Sequence, residues 1–399
     1  MSLQDELQWL FNLNRFGEPG LDYIAKALES FGNPHKKLRV VQITGTNGKG
    51  STAAMIAEVL RRAGKKVGLY TSPNLIRFNE RIRVNGVEIS DNELLELIHE
   101  VKNTGIRLKF FEFGTVMALL YFTRKKVDFA VLEVGLGGKN DPTSICNAEV
   151  AVLTSIGFDH MPILGHTVED ITKEKVGIIK EKSKVVTCYN NAGLPWIKEA
   201  CTKNKLIVAP NYNGLVGLRG PHQRINAGIA FEVCKLLDID EQIIEEGIAQ
   251  VKWPGRMEYF DRNLLVDCAH NLSALKVTAP YVKSIPKKKL IVIFGVLADK
   301  DYKRMIKALP KPDFLILTKP PIDRALDPSQ LIYDGPCAVI ADPAEALRYA
   351  RSIAKPDDLI FVTGSIYLVG RIMDVLRKSE SSGKVSALPD AHAIGQMNP

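Results

Sequence analysis

The stretch Val41-Gln-Ile-Thr-Gly-Thr-Asn-Gly-Lys-Gly-Ser-Thr52 runs from an apolar strand through a glycine-rich turn into a helix, which narrows the folds open to the chain. A turn of this composition predicts a phosphate cradle. Gly45, Gly48 and Gly50 let the backbone bend tightly with its amides turned inward, Lys49 supplies a positive charge, and the helix opening near Ser51 points its positive dipole end at the same spot. The expected ligand is a nucleoside triphosphate, held by Thr46, Asn47, Gly48, Lys49, Gly50, Ser51 and Thr52. The spacing departs from the usual phosphate loop, because Gly50 intervenes between Lys49 and the hydroxyl residue Ser51. A tight strand-to-helix turn that binds nothing is the competing reading.

The surrounding segments read as alternating strands and helices. Leu21 to Phe31 carries apolar side chains at helical spacing and is stopped by Gly32-Asn33-Pro34. Thr52 to Ala63 reads as the helix after the loop and Lys66-Val-Gly-Leu-Tyr70 as the next strand, a βαβ unit with parallel strands. Ser72-Pro73-Asn74-Leu75 through Arg83 is irregular and charged, and lies where open α/β sheets carry ligand loops. It reads equally as a substrate loop or as a solvated face bearing Arg77, Glu80 and Arg81. Val127 to Gly138 is an apolar strand ending in Glu133 and then glycines. A carboxylate at a strand tip beside a phosphate loop suits Mg²⁺, so Glu133 is the first metal candidate. Gly135-x-Gly137-Gly138 is only a partial dinucleotide fingerprint, with its third glycine missing. Glu149 to Ile156 reads as another strand, ending in Gly157-Phe158-Asp159-His160. Residue type leaves His160 open between metal ligand and scaffold. Val168 to Ile179 reads as a helix bearing Lys173 and Lys175, a position where lysines are usually solvated.

At 399 residues the chain is long enough for two domains. No apolar run approaches the length of a membrane span, and Met1-Ser-Leu-Gln-Asp-Glu lacks the bases of a signal peptide, so the expectation is a soluble cytoplasmic protein. The six cysteines are scattered with no Cys-x-x-Cys pair, which predicts reduced core thiols. The net charge of +8 reads as spread along the chain without interleaved aromatics, favouring anionic small substrates over nucleic acid.

Several separated motifs together resemble the folylpolyglutamate synthase and dihydrofolate synthase family, a branch of the Mur ligase superfamily. They are Thr44-Gly-Thr-Asn-Gly-Lys-Gly-Ser51, Ser72-Pro73 leading to Phe78-Asn-Glu-Arg-Ile82, Glu133-Val-Gly-Leu-Gly-Gly138 with Asp141, and Asp159-His160. Glu174-Lys-Val-Gly-Ile-Ile179, His222-Gln-Arg-Ile-Asn-Ala227, Gly255-Arg256 and Asp267-Cys-Ala-His-Asn271 follow in order. The resemblance covers nearly the whole chain except its last twenty or so residues. It departs from the family pattern at Gly137-Gly-Lys-Asn-Asp-Pro-Thr-Ser144 and at Asn74, near the acceptor pocket.

The second half repeats strands at Asn263–Asp267, Lys289–Phe294, Asp313–Leu317, Ala338–Ala341 and Asp358–Thr363, alternating with helices. The expected fold is α/β. An N-terminal P-loop-type domain with a mostly parallel sheet (1–252) leads through a hinge (253–262) to a smaller C-terminal Rossmann-like domain (263–378). Residues 379–399 are polar and aperiodic and read as a mobile tail.

The resemblance implies an ATP-dependent amide ligase that adds L-glutamate to a folate or dihydropteroate acceptor through an acyl phosphate, releasing ADP and phosphate. It implies two Mg²⁺ ions, with Ser51 and Glu133 at the first and His160 at the second. It makes Lys175 a lysine carbamylated by CO₂. Asn226 and Arg256 become nucleotide contacts. Asp267 and His270 join Lys49 and Lys175 as catalytic groups, while Ser72, Phe78, Arg81 and Asp141 become acceptor contacts. The family also suggests a monomer. A nucleotide-dependent switch and a Mur-type ligase with another acid are the alternatives.

Overall fold

A computed structural model describes residues 2–14 and 20–381, and the chain divides into two compact units, Met1–Trp253 and Pro254–Pro399. The first unit is built on an eight-stranded sheet: β1 (Val40–Thr44), β2 (Val67–Tyr70), β3 (Ile82–Val84), β4 (Val87–Glu88), β5 (Phe129–Glu133), β6 (Val150–Leu153), β7 (Lys184–Cys188) and β8 (Leu206–Ala209). Their spatial order is β4-β3-β2-β5-β1-β6-β7-β8. All pairings are parallel except β2 with β3 and β3 with β4. The βαβ unit expected from the sequence therefore has parallel strands that are not neighbours, because β5 enters between β1 and β2.

The central strands are apolar along their length because both faces are covered. One face buries Val41, Ile43 and Val131 against Ala53, Ile56 and Leu60 of helix Lys49–Arg62 and against Ala227 and Ala230 of helix His222–Leu236. The other face buries Val40, Ala130 and Leu132 with Val116, Leu119 and Phe122 of helix Phe110–Arg124. A first helix that the sequence reading did not register, Leu3–Phe11, is started by a capping box between Ser2 and Asp5. Its Glu6 is fully buried and is held by Lys102 at 2.8 Å and His99 at 3.2 Å.

The second unit has a six-stranded sheet of β9 (Glu258–Tyr259), β10 (Leu264–Val266), β11 (Leu290–Phe294), β12 (Phe314–Leu317), β13 (Cys337–Val339) and β14 (Leu359–Thr363), ordered β13-β12-β11-β14-β10-β9. Only β9 runs antiparallel. This strand lies inside the segment expected as a hinge. Two polar-ended residues pairing with β10 are too short a run for alternation to reveal. The closing helix, Ile366–Ser381, takes in Ser379 to Ser381 of the expected tail; the rest of that tail lies outside the described residues.

Five of the six cysteines are buried as expected, with burial pushing Cys146 and Cys268 up to about 12; Cys337, on the edge strand β13, is exposed instead. Among the described residues no helix is long and apolar enough to cross a membrane.

Candidate active site

The glycine-rich loop leaves the C-terminal end of β1 and is fastened to the segment after β6. The Thr46 amide donates to the Ser155 carbonyl at 2.7 Å, Thr46 Oγ1 donates to Gly157 O at 2.9 Å, and Ser155 Oγ donates to Asn47 O at 3.2 Å. Gly45 and Gly48 are fixed by torsion as well as by space, whereas Gly50, already helical, is constrained by its neighbours alone. A Cβ on Gly45 would meet Thr154 Oγ1 at 1.8 Å, and one on Gly48, with φ of 87°, would meet Asn226 Oδ1 at 2.3 Å. A Cβ on Gly50 would come 3.2 Å from the Trp253 indole nitrogen and 3.5 and 3.6 Å from the Glu133 oxygens. The glycine that departs from the usual phosphate-loop spacing is thus the residue against which Glu133 lies. Gly48 caps helix Lys49–Arg62, which begins two residues earlier than expected near Ser51, so the loop's last amides belong to the helix N-terminus.

Asn226 and Ser51 are linked through a residue that sequence reasoning did not single out. Gln223 Nε2 approaches Ser51 Oγ at 3.5 Å, and Asn226 Nδ2 donates to Gln223 Oε1 at 2.9 Å. The signal was available, since Gln223 and Asn226 are spaced i, i+3 on one helical face. Thr52 is fully buried; its amide donates to Gly48 O at 2.9 Å and its Oγ1 has no hydrogen-bond partner.

Two lysines converge on one carbonyl. Lys49 Nζ donates to Gly45 O at 3.1 Å and Thr46 O at 3.2 Å, and Lys175 Nζ donates to the same Gly45 O at 2.9 Å. Lys175 is 4% exposed, contrary to the solvated position expected of a helical lysine; Lys173, with 62% of its side chain exposed and paired with Glu169, does follow that expectation. The difference arises because the Gly138 turn packs onto the end of helix Val168–Lys175, where a Cβ on Gly138 would lie 2.6 Å from Lys175 O. Burial, reinforced by the neighbouring Lys49 cation and opposed by Asp159, Asp141 and Glu174, pushes the Lys175 amine down to about 7.

Glu133, at the tip of β5, is buried, and its Oε2 accepts from the Ser72 amide at 3.0 Å. The segment after Ser72 is not a solvated face. Glu80 accepts from the amides of Leu75, Ile76 and Arg77 at 2.7, 2.9 and 3.0 Å, and is itself buried. Arg81 is buried too, donating to Asn74 Oδ1 at 2.8 Å and lying 5.3 Å from the Phe78 ring and 5.1 Å from the Phe110 ring. Arg77 alone of the three is exposed, paired with Asp91. Phe78 belongs to the core, 2% exposed. Asp141 is committed to Gly135 N, Leu136 N and Thr143 N at 2.9, 3.1 and 3.0 Å, and burial raises its carboxyl above the usual range. Of the four expected acceptor residues, Phe78, Arg81 and Asp141 are therefore buried and engaged within the protein, and the Ser72 amide donates to Glu133.

His160 adopts a left-handed backbone with φ of 51° and is half-buried. Among the described residues no three His, Cys, Asp or Glu side chains gather around one point. The oxygen donors Ser51, next to Gly50 in the chain, and Glu133, lying against it, nevertheless fit magnesium, which takes one or two carboxylates and completes its shell with phosphate oxygens and water.

In the second unit the expected residues cluster where β10 ends. Asp267, 3% exposed, accepts from Met257 N at 3.0 Å and Ala269 N at 2.9 Å, and so fixes the left-handed turn at Met257. Arg256 hydrogen-bonds the Cys268 side chain, and His270 Nδ1 is 3.0 Å from Cys268 O. Arg256, Asp267 and His270 are brought together within this unit.

A "Mur ligase middle domain" profile matches residues 43–212 and a "Mur ligase, glutamate ligase domain" profile matches 255–366. The chain is 32% identical to the dihydrofolate synthase/folylpolyglutamate synthase of Bacillus subtilis, over 94% of this chain and 99% of that protein. It is 34% identical to a probable bifunctional folylpolyglutamate synthase/dihydropteroate synthase of Haloferax volcanii over 92% of this chain, and spans 50% of that longer protein. E. coli FolC in complex with DHPP and ADP superimposes with a TM-score of 0.86 at 28% identity, covering 95% of this chain and 99% of the other. The Yersinia pestis bifunctional enzyme complexed with AMPPNP and Mn ion gives 0.86 at 27%, covering 94% and 98%. A match that runs the full length of the Bacillus enzyme, with both Mur ligase profiles in chain order, means that this chain belongs to the folylpolyglutamate synthase/dihydrofolate synthase family of Mur ligases.

Proposed function

We propose that the protein is an ATP-dependent ligase that joins L-glutamate to the carboxylate of a folate or dihydropteroate acceptor. The observation that carries this reading is Lys49 at the Gly45 and Thr46 carbonyls together with the Glu133 carboxylate against Gly50, a loop that offers a cation to phosphate on one side and a carboxylate to a metal on the other. A carboxylate is a poor acyl donor. In the proposed reaction an acceptor oxygen attacks the γ-phosphorus of ATP and ADP leaves; the amine of glutamate then attacks the acyl carbon, phosphate leaves, and the amine's surplus proton passes to a base. The loop amides and Lys49 hold the phosphates and offset charge that builds on the γ-phosphoryl group. Asn226, braced by Gln223, lies against Gly48 where the nucleotide enters, and Arg256 is a further nucleotide contact from the second unit. Asp267 orders the Met257 turn, and His270 beside it is the group we assign to the incoming amino acid.

Ser51 and Glu133 would hold one magnesium ion, and His160 with a carbamylated Lys175 a second; when bound, the ions neutralise phosphate charge. Lys175 suits that modification because an amine pushed down to about 7 is substantially neutral at physiological pH, and only the neutral amine adds to CO₂. The amine nitrogen bonds to the CO₂ carbon and loses one proton, turning a cation site into an anion.

The reading is tested by ADP release. ADP should form only when a pteroate or folate acid and L-glutamate are both supplied, and the product should gain the mass of one glutamyl residue. In the same assay Glu133→Gln, which keeps the shape and loses the charge, should shift the magnesium titration about tenfold upward. ADP release without an acid would favour a nucleotide switch, release with a different acid would replace the acceptor, and an unchanged titration would return Glu133 to a structural role.

A further inference from the structure

The bases are spread along the chain, but in one stretch the acids that elsewhere balance them are scarce. Between Leu272 and Leu309 there are nine Lys and Arg against two Asp, a net +7 of the chain's +8. That segment folds as helix Leu272–Ser284, strand β11 and helix Tyr302–Lys307, and between the two helices runs a groove of about 450 Å³. Lys276 and Lys283 rise from one wall and Arg304 and Lys307 from the other, over an apolar floor that includes Ala279 and Leu309. No acidic side chain lines the groove. Arg304 lies 3.5 Å from Asp301, with both side chains exposed, whereas among the described residues Lys276, Lys283 and Lys307 make no ion pair. Cations facing one another without counter-charges repel, and an anion laid between them relieves that repulsion.

The groove's position narrows the choice of anion. It starts at Leu272, two residues beyond His270, and extends along the helix to Lys283, about 17 Å at 1.5 Å per residue. It therefore leads away from the turn that carries Asp267 and His270. A single-stranded nucleic acid would want aromatic platforms for its bases, and no aromatic side chain lines the groove. A γ-linked glutamate chain differs from nucleic acid and from ordinary acidic peptides in having two methylene groups per residue within its own backbone. Each residue thus presents one α-carboxylate separated from the next by an apolar spacer. Cationic walls over an apolar floor match that alternation.

We propose that this groove binds the α-carboxylates of a γ-linked oligoglutamate chain, the kind of tail that repeated ligation would build; the identity of the ligand rests on the function proposed above. Acceptors that already carry several glutamates would then be held at two places, the reacting carboxylate and the tail. The test is the variant K276Q/K283Q/R304Q/K307Q, whose four positions are exposed and change no buried contact. Its KM for a tetraglutamyl acceptor should rise about tenfold, the size expected of four exposed charge pairs acting together, while its KM for the monoglutamyl acceptor and for ATP stays within about twofold of wild type. A direct binding measurement separates this from the ligase reading. Free γ-linked tetraglutamate should bind the wild-type protein at low salt, bind the variant about tenfold more weakly, and outcompete an α-linked tetraglutamate. That result would support the groove even if no folate acceptor were extended. Equal KM changes for short and long acceptors, wild-type binding of γ-tetraglutamate by the variant, or binding of an oligonucleotide in place of tetraglutamate would each overturn the proposal.

Discussion

Lys49→Ala is expected to lower the rate of ligation about a thousandfold at saturating ATP while leaving the fold intact, because a fixed cation opposite a developing phosphoryl charge is worth roughly 10²–10³ in rate. The side chain is only half-buried and donates to the Gly45 and Thr46 carbonyls, which the loop amides and solvent can compensate. Its loss should cost no more than about 1 kcal/mol of stability, the usual scale for such hydrogen bonds. The two quantities separate by measuring kcat and the thermal midpoint on the same preparation. Ligation within tenfold of wild type would remove Lys49 from the chemistry, and a large fall in midpoint would make it a structural residue instead.

Lys175→Ala should lose ligation by a similar factor, with a diagnostic attached. If the site needs a carboxylate there, short carboxylic acids added to Lys175→Ala should restore part of the rate, whereas an ammonium salt should not. Lys173→Ala, exposed and paired with Glu169, is the control and should keep the wild-type rate. The pH dependence has a definite sign. The folded amine lies near 7 and the unfolded one at 10.5, so between these values the unfolded chain binds the extra proton and stability rises with pH. Below about 7 the full penalty of burying the charge is present; above 10.5 it is gone. Lys175→Met should therefore flatten the stability profile across that window, and wild-type activity should rise with pH through about 7 as the neutral, CO₂-reactive amine becomes available. A solvated lysine predicts neither the slope nor the rescue.

Lys175 also shows where sequence reading reaches its limit. The helix was legible from its period, but the burial of one lysine and the exposure of another two positions earlier depend on the Gly138 turn packing onto the helix end from 37 residues away in the chain. Glu80 illustrates the same point, since three backbone donors fold around a carboxylate that local charge pattern equally describes as solvated. The positions of the strands around the loop were legible locally. The strand ending in Glu133 and the strand that runs into the loop Gly45–Ser51 are each an apolar run terminated by polar groups, a pattern visible within a few residues. Strand order could not be read, because β5 inserts between β1 and β2 through pairings far apart in sequence. Gln223 shares a helical face with Asn226 at i, i+3, a local signal, but its place opposite the Ser51 hydroxyl depends on packing between segments far apart in the chain. β9 escaped notice because two residues are too few to show a period.

The account turns on an acyl phosphate formed between ATP and the acceptor acid. The most direct measurement supplies an acceptor whose reacting carboxylate is labelled with ¹⁸O in both oxygens, together with ATP, magnesium and L-glutamate, and follows the label into product and phosphate by mass. Attack of the carboxylate on the γ-phosphorus predicts that each amide formed sends one ¹⁸O into inorganic phosphate, with ADP released in equal amount. Unlabelled phosphate, or label appearing in AMP, would contradict it.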